Sequence, residues 1–289
     1  MKRKHIVLGL VICLVITVIS SGALWARQSR LSAAVALVSK GSKIEEFLTK
    51  PGVSYVQAYV RFGADFPDDV IIALDQELIE GVNKPLYVKG GDWMSLVGVQ
   101  RSGAVWVATG TEATMRGEPS KERNWKILDL KTRLEPDIWY KIRIEADFDK
   151  RYYKSFSIDG LNISQKLDLS AHKLDYPNYM PFDSRSMSYY VIAMRGRDMM
   201  KVKGTPLVYF DDVEAGVAVA GSPLQAVFSD GFETQQNVGA QPVIAPIIQL
   251  ENYRQKFWYL ERDESIITIQ QQPFARSGTA VGVADASLD

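Results

Sequence analysis

Carboxylates are the groups in this 289-residue chain whose number and spacing suit chemistry. The single cysteine is Cys13 and the two histidines are His5 and His172, so zinc sites of the usual Cys/His types are excluded. A Ser-His-Asp triad would have to use His172, in "LSAHKLDYP", where no nucleophile-elbow glycines stand nearby. No phosphate-binding glycine loop occurs either. Catalysis here would have to run on acids, and two groups of acids stand out. Glu145, Asp147 and Asp149 lie in "IEADFD", and Asp211 and Asp212 sit side by side in "PLVYFDDVEAGV".

In the first group, strand alternation puts Glu145 and Asp147 on one face, ~7 Å apart. Retaining glycosidases hold two carboxyls ~5–5.5 Å apart. Arg143 shares that face and Asp149 precedes Lys150-Arg151, so a solvated strand face with cross-strand ion pairs competes with catalysis. In the second group, Asp211 falls among Leu207, Tyr209 and Val213, where an unpaired carboxylate is costly. It requires an arginine, a set of backbone N–H groups or a cation. Asp212 is free to reach a loop. With Asp230 and Glu233 of "FSDGFE", the pair forms an oxygen-rich set that would suit a structural calcium ion. Asp65, Asp68 and Asp69 in "GADFPDD" form a second acidic loop, and neither has EF-hand spacing.

These acids sit on short strands. In "VSYVQAYVRF" residues Ser54, Val56, Ala58, Val60 and Phe62 form the buried face. "WMSLVGVQRSGAVWVATG" reads as a hairpin turning at Arg101-Ser102-Gly103. In "WYKIRIEADFDKRYYKSFSIDG" Tyr140, Ile142, Ile144, Ala146 and Phe148 face in; the return strand, Tyr152–Ile158, runs into an Asp159-Gly160 turn. "VIIALDQEL", "SMSYYVIAMRG" and "PLVYFDDVEAGVAV" add further strands. Many short strands with almost no helical periodicity predict an all-β sandwich.

The flanks differ. "MKRKH" followed by the uncharged apolar run Ile6–Ile19 and the small residues Ser21 and Ala23 reads as a secretory signal peptide. Apolar character continuing to Ala26 fits an uncleaved signal-anchor equally, contacting the membrane through its helix. Either places everything after Arg27 outside the membrane, secreted or single-pass with the C-terminus outside. The exported part then has no cysteine and 31 basic against 34 acidic side chains, a net charge of −3 once Lys2, Arg3 and Lys4 are removed. That balance does not suit a nucleic-acid binder. The expected division is 1–26 signal or anchor, 27–50 helical or irregular neck, 51–235 sandwich, and 236–289 extension. The extension carries a hairpin turning at 262–265 and a loose tail. Residues 172–186 read as one long irregular loop holding Tyr176, Asn178, Tyr179 and Phe182, which either bind a ligand or pack onto the sheet.

Together "SYVQAYVRF", "WYKIRIEADFDKRYYKSFSIDG" and "PLVYFDDVEAGV" resemble the concanavalin A-like lectin/glucanase superfamily, laminin-G domains included, over about residues 50–235. The resemblance implies a jelly-roll β-sandwich behind the N-terminal hydrophobic helix. It also implies a non-enzymatic surface module whose partner is a polysaccharide or glycoprotein, with Tyr176, Asn178, Tyr179 and Phe182 as the ligand-binding residues. Two alternatives stand beside this reading. One is an envelope or assembly subunit self-associating through its C-terminal hairpin. The other is a glycoside hydrolase: glucanases of that fold use an "E-x-D-x-E"-like strand, from which this chain departs by Asp149 in the third place. Fold alone does not choose among them.

Overall fold

The computed structural model describes residues 32–38, 42–80, 90–116, 118, 124–180, 186–195, 204–219, 221–233, 257–260 and 266–286. The N-terminal apolar segment and Phe182 lie outside the described residues, and among those described no helix is long and apolar enough to cross a membrane.

In chain order the strands are β1 (Ser32–Val38), β2 (Val53–Phe62), β3 (Val70–Ile79), β4 (Gly90–Met94), β5 (Val97–Gln100) and β6 (Ala104–Thr109). There follow β7 (Asn124–Asp129), β8 (Tyr140–Asp147), β9 (Tyr152–Gly160), β10 (Ile163–Asp168), β11 (Asp175–Met180) and β12 (Ser186–Arg195). The last are β13 (Leu207–Ala218), β14 (Gln225–Asp230), β15 (Phe257–Leu260), β16 (Ile266–Gln271) and β17 (Ala280–Asp285). They form two antiparallel sheets. A nine-stranded sheet runs β15-β1-β12-β3-β5-β6-β7, with β4 against β3 and β11 against β4. An eight-stranded sheet runs β10-β9-β8-β2-β13-β17-β16, with β14 also on β13.

Alternation explains why the sheets stack. Val56, Ala58, Val60 and Phe62 of β2 and Tyr140, Ile142 and Ile144 of β8 share one buried cluster with Val70, Ile72 and Leu74 of β3 and Val97, Val99, Val105 and Val107 of β5 and β6. Each large aliphatic side chain removed from water contributes about 1.5–3 kcal/mol, which is what binds the layers. Hydroxyls bridge the same interface. Tyr189 and Ser54 meet at 3.2 Å, and Tyr153 reaches across to accept from the Leu96 N–H and donate to the Ala108 carbonyl. The helix Ser42–Thr49 packs Phe47 edge-on against Phe148.

The structure redraws several expectations. Residues 32–38, expected in a helical or irregular neck, form β1 and pair with β12, Val35 opposite Val191. Ala and Leu favour helix locally, but a neighbouring strand with free edge groups overrides that preference. The expected C-terminal hairpin does not form. β15 joins β1 in one sheet while β16 joins β17 in the other. The tail expected to be loose supplies β17, whose Val281, Val283 and Ala284 are buried and which pairs with β13. The sandwich therefore reaches from 32 to beyond 280, past the expected limits of 51 and 235. Within the expected 172–186 loop, β11 pairs with β4. The Asp159-Gly160 turn lies two residues later, at Leu161-Asn162, with Gly160 still in β9.

Candidate functional site

The Asp211-Asp212 pair marks a junction. On one edge β13 pairs with β2 throughout, slipping register between Asp211 and Glu214. On the other edge its partner changes, from β17 along 207–210 to β14 along 213–217. The change falls at the two aspartates, where Asp212 takes the left-handed φ of 44°. Backbone N–H groups arriving there lack ladder partners, and the carboxylates supply them. Asp211 is fully buried and accepts from Arg276 N–H at 2.7 Å, Ser277 N–H at 3.1 Å and Asp212 N–H at 2.8 Å. Burial pushes its carboxyl up, and those three donors pull it back. Asp212 accepts from the Ser277 hydroxyl at 2.6 Å. Glu233 accepts from the N–H groups of Thr279 and Ala280, which hold it below the usual carboxylate range. Asp230 accepts from Phe232 N–H.

The four residues expected to hold calcium thus have their oxygens turned to N–H and O–H donors, chiefly of the segment 276–280 between β16 and β17. No three His, Cys, Asp or Glu side chains gather closely enough to hold a metal ion among the described residues. The expectation that Asp211 meets an arginine, backbone N–H groups or a cation resolves to backbone N–H groups.

Glu145 and Asp147 lie on the outward face of β8, as alternation requires. Glu145 Oε1 accepts from Nε and Nη2 of Arg143 at 2.9 and 2.7 Å. Arg143 also donates to Gln57 Oε1, and Gln57 in turn donates to Glu214, which accepts the Tyr55 hydroxyl at 2.7 Å. The guanidinium lies 3.7 Å from the Tyr55 ring centroid. Burial and Glu214 together push the Tyr55 phenol up. Asp147 takes the Lys150 N–H and pairs with its ammonium at 3.5 Å, closing the β8–β9 turn that contains Asp149. The proposed catalytic pair is therefore divided: one acid belongs to an arginine network and the other to a turn.

Tyr176 is 3% exposed, with its ring stacked on Trp93 at 4.9 Å. Of the four residues read as a ligand loop it is a packing residue. Asn178 and Tyr179 lie in β11, Asn178 opposite Asp92 and Tyr179 opposite Gly91.

The outer side of the nine-stranded sheet carries a second buried cluster edged by two partly exposed tryptophans, and sequence reading did not find it. In β3, Ile72 and Leu74 enter the inter-sheet core while Ile71 and Ala73 belong to a second cluster with Met94, Leu96, Ala108, Tyr190 and Ile192. Alternation places that cluster on the outer side of the nine-stranded sheet. Across it, Trp106, Gly98, Ala73 and Ile192 stand in one register row. A Cβ at Gly98 would clash with Ile71 Cγ2 and Ala73 Cβ, so glycine alone fits between Trp106 and Ile192. Trp106 and Trp125 meet edge to face, 5.8 Å apart at 80°, and both are partly exposed. Further along β3 the same alternation places Asp75 and Glu77, and the Tyr190 hydroxyl donates to Glu77 at 2.8 Å. The signals were in the sequence: tryptophans at outward positions of "AVWVATG" and "NWKILDL", and Asp-x-Glu inside the apolar strand "VIIALDQEL".

No family model matches this chain, and no curated protein does. Among solved structures it is similar to Scytalido-glutamic peptidase with a peptide-based transition state analog (TM-score 0.36, 10% identity, covering 88% of this chain and 97% of that one). It is also similar to a glycoside hydrolase family 16 endo-glucanase from Bacteroides ovatus (0.28, 14%, 58% and 69%). A third is a prokaryotic β-1,3-1,4-glucanase (lichenase) derived from a mouse hindgut metagenome (0.25, 9%, 56% and 78%). Scores of this size leave activity and ligand to the chain's own geometry.

Proposed function

We propose that this protein is an exported, surface-located glycan-binding module of the concanavalin A-like type, with its site on the outer face of the nine-stranded sheet. One observation carries the reading: two partly exposed tryptophans meet edge to face beside the closely packed row of Gly98 and Ala73, next to the strand that carries the half-buried Glu77. Aromatic faces stack on the apolar faces of sugars, and a flanking carboxylate, here Glu77, accepts from their hydroxyls. Glu77 is four residues from Ala73, ~13 Å along the strand, which suits a short oligosaccharide better than one sugar. Export rests on the basic pentapeptide and apolar run at the N-terminus. The test is affinity electrophoresis of the full chain through gels of neutral polysaccharides. Trp106→Ala with Trp125→Ala should abolish retardation, while Trp139→Phe should leave it intact, since Trp139 donates to the Phe274 carbonyl in the segment between β16 and β17. Equal retardation of all three proteins would sink the proposal.

Glycoside hydrolysis is a second reading, resting on two acids of one strand face, Asp75, which is buried, and Glu77, which is half-buried. Their ~7 Å strand spacing falls in the ~6.5–9.5 Å range of inverting enzymes. Reducing-sugar release that Glu77→Gln leaves unchanged would dismiss it.

A further inference from the structure

The opposite face of the molecule holds a groove of about 350 Å³ lined by Glu145, Lys154, Ser155, Lys166 and Asp168. Its shape follows from register. Ser155 stands between Glu145 of β8 and Asp168 of β10, and Ser157 between Arg143 and Lys166. Two small side chains on β9 thus run between two walls of long ones. Between Glu145 and Ala146 the β8–β9 register slips, leaving Lys154 as the extra residue of a bulge. Such a bulge re-aims the side chain it carries, here at the end of the serine floor.

The charges of the groove are unevenly compensated. Glu145 is held by Arg143, and Asp168 accepts from Ser170 N–H at 2.9 Å. The nearby acids are engaged as well, Asp147 with Lys150 and Asp159 with the Ser164 hydroxyl. Lys154 and Lys166 form no ion pair among the described residues, and the Ser155 hydroxyl makes no hydrogen bond among them. Lys154, Lys166 and Ser155 therefore line one groove with donors to spare, beside two carboxylates that can still accept.

We propose that this groove is a second ligand site, for an acidic saccharide. Lys154, Lys166 and Ser155 would take its carboxylate or sulfate group, and Glu145 and Asp168 would accept from its hydroxyls. Ammonium-to-oxyanion hydrogen bonds are stronger than neutral ones, and the pairing of anion with neighbouring hydroxyls distinguishes a uronic or sulfated sugar from a bare ion. The site shares no residue with the tryptophan face and does not depend on it.

The test titrates the full chain with a trigalacturonate, a sulfated disaccharide, a neutral glucan oligosaccharide and inorganic sulfate. Lys154→Gln with Lys166→Gln should weaken binding of the two acidic sugars at least tenfold. The charge-matched control Lys131→Gln with Lys141→Gln should change it less than twofold, and Trp106→Ala with Trp125→Ala should not change it. Ser155→Ala, which keeps all charges, should cost several-fold. Far-ultraviolet circular dichroism of each variant checks the fold. Equal losses in the groove variant and the control would show general charge attraction and overturn the proposal. So would inorganic sulfate binding as tightly as the sugars, or acidic sugars failing to bind the wild-type chain. Failure of the wild-type chain to bind the neutral oligosaccharide while it binds the acidic sugars would count against the tryptophan face only.

Discussion

The two outer faces of this sandwich obey the same alternation and do opposite things with it. On the nine-stranded sheet the outward positions of β3, β5 and β6 hold Ile71, Ala73, Gly98 and Trp106, so that face is apolar and closely packed. On the eight-stranded sheet the outward positions of β2, β8 and β13 hold Tyr55, Gln57, Arg143, Glu145 and Glu214, joined by hydrogen bonds into one network. Outward charge on that sheet is largely committed to holding strands together, Asp211 above all. The contrast teaches that a cluster of acids marks a structural joint as readily as an active site. What separates the two is whether the oxygens already have donors.

Three experiments would break or sharpen this contrast. The largest effect belongs to the joint. Asp211→Ala leaves three backbone N–H groups without their acceptor and should lower stability by about 3 kcal/mol. The urea midpoint should fall accordingly, with retardation by neutral polysaccharide unchanged below the transition. A variant as stable as wild type would remove the structural role of the pair. Next comes the floor of the other face. Gly98→Val should cost about 2 kcal/mol by overpacking against Ile71 and Ala73, and should also abolish polysaccharide retardation. Retained binding would move the site off this face.

The smallest effect lies between the sheets. Tyr189 is 1% exposed, and burial pushes its phenol well above the ordinary value of 10.0. A phenol raised in the folded state gives stability that is fully present below pH ~10 and lost as pH rises beyond it, because the unfolded chain releases the proton first. Tyr189→Phe should therefore flatten the alkaline fall of the urea midpoint while costing only about 1 kcal/mol at pH 7, the bond to Ser54. An alkaline limb identical to wild type would show that Tyr189 does not set it. Tyr55, Tyr140 and Tyr209 are raised too, so some slope should persist.

Strands were legible wherever one face is apolar and the other polar. The inward sets of β2 and β8 were readable residue by residue, and all of them are buried. Pairing was not legible, because periodicity states that a segment is a strand and leaves its partner open. The segments "KFWYL" and "SIITIQQ" look like the arms of one hairpin, yet each finds a better edge elsewhere. Pro177 and Asn178 made β11 read as loop, although a strand that pairs only with β4 among the described residues tolerates a proline. The candidate site was hidden for a related reason. Trp106, Gly98 and Ala73 lie on three different strands, and only the register assembles them.

The shared edge of β13 also sets an order of events. Phe210 must wait for Gly282, about 70 positions later in the chain. At ~5–20 residues per second, synthesis leaves that edge open for roughly 4–14 s after β13 has emerged. A ribosome-bound chain would spend this interval with an unguarded strand, whereas a chain handed across a membrane still unfolded closes both sheets from a complete sequence. β17 is the strand that covers this edge, so a chain ending before Ala280 should be a sticky product rather than a slightly smaller protein.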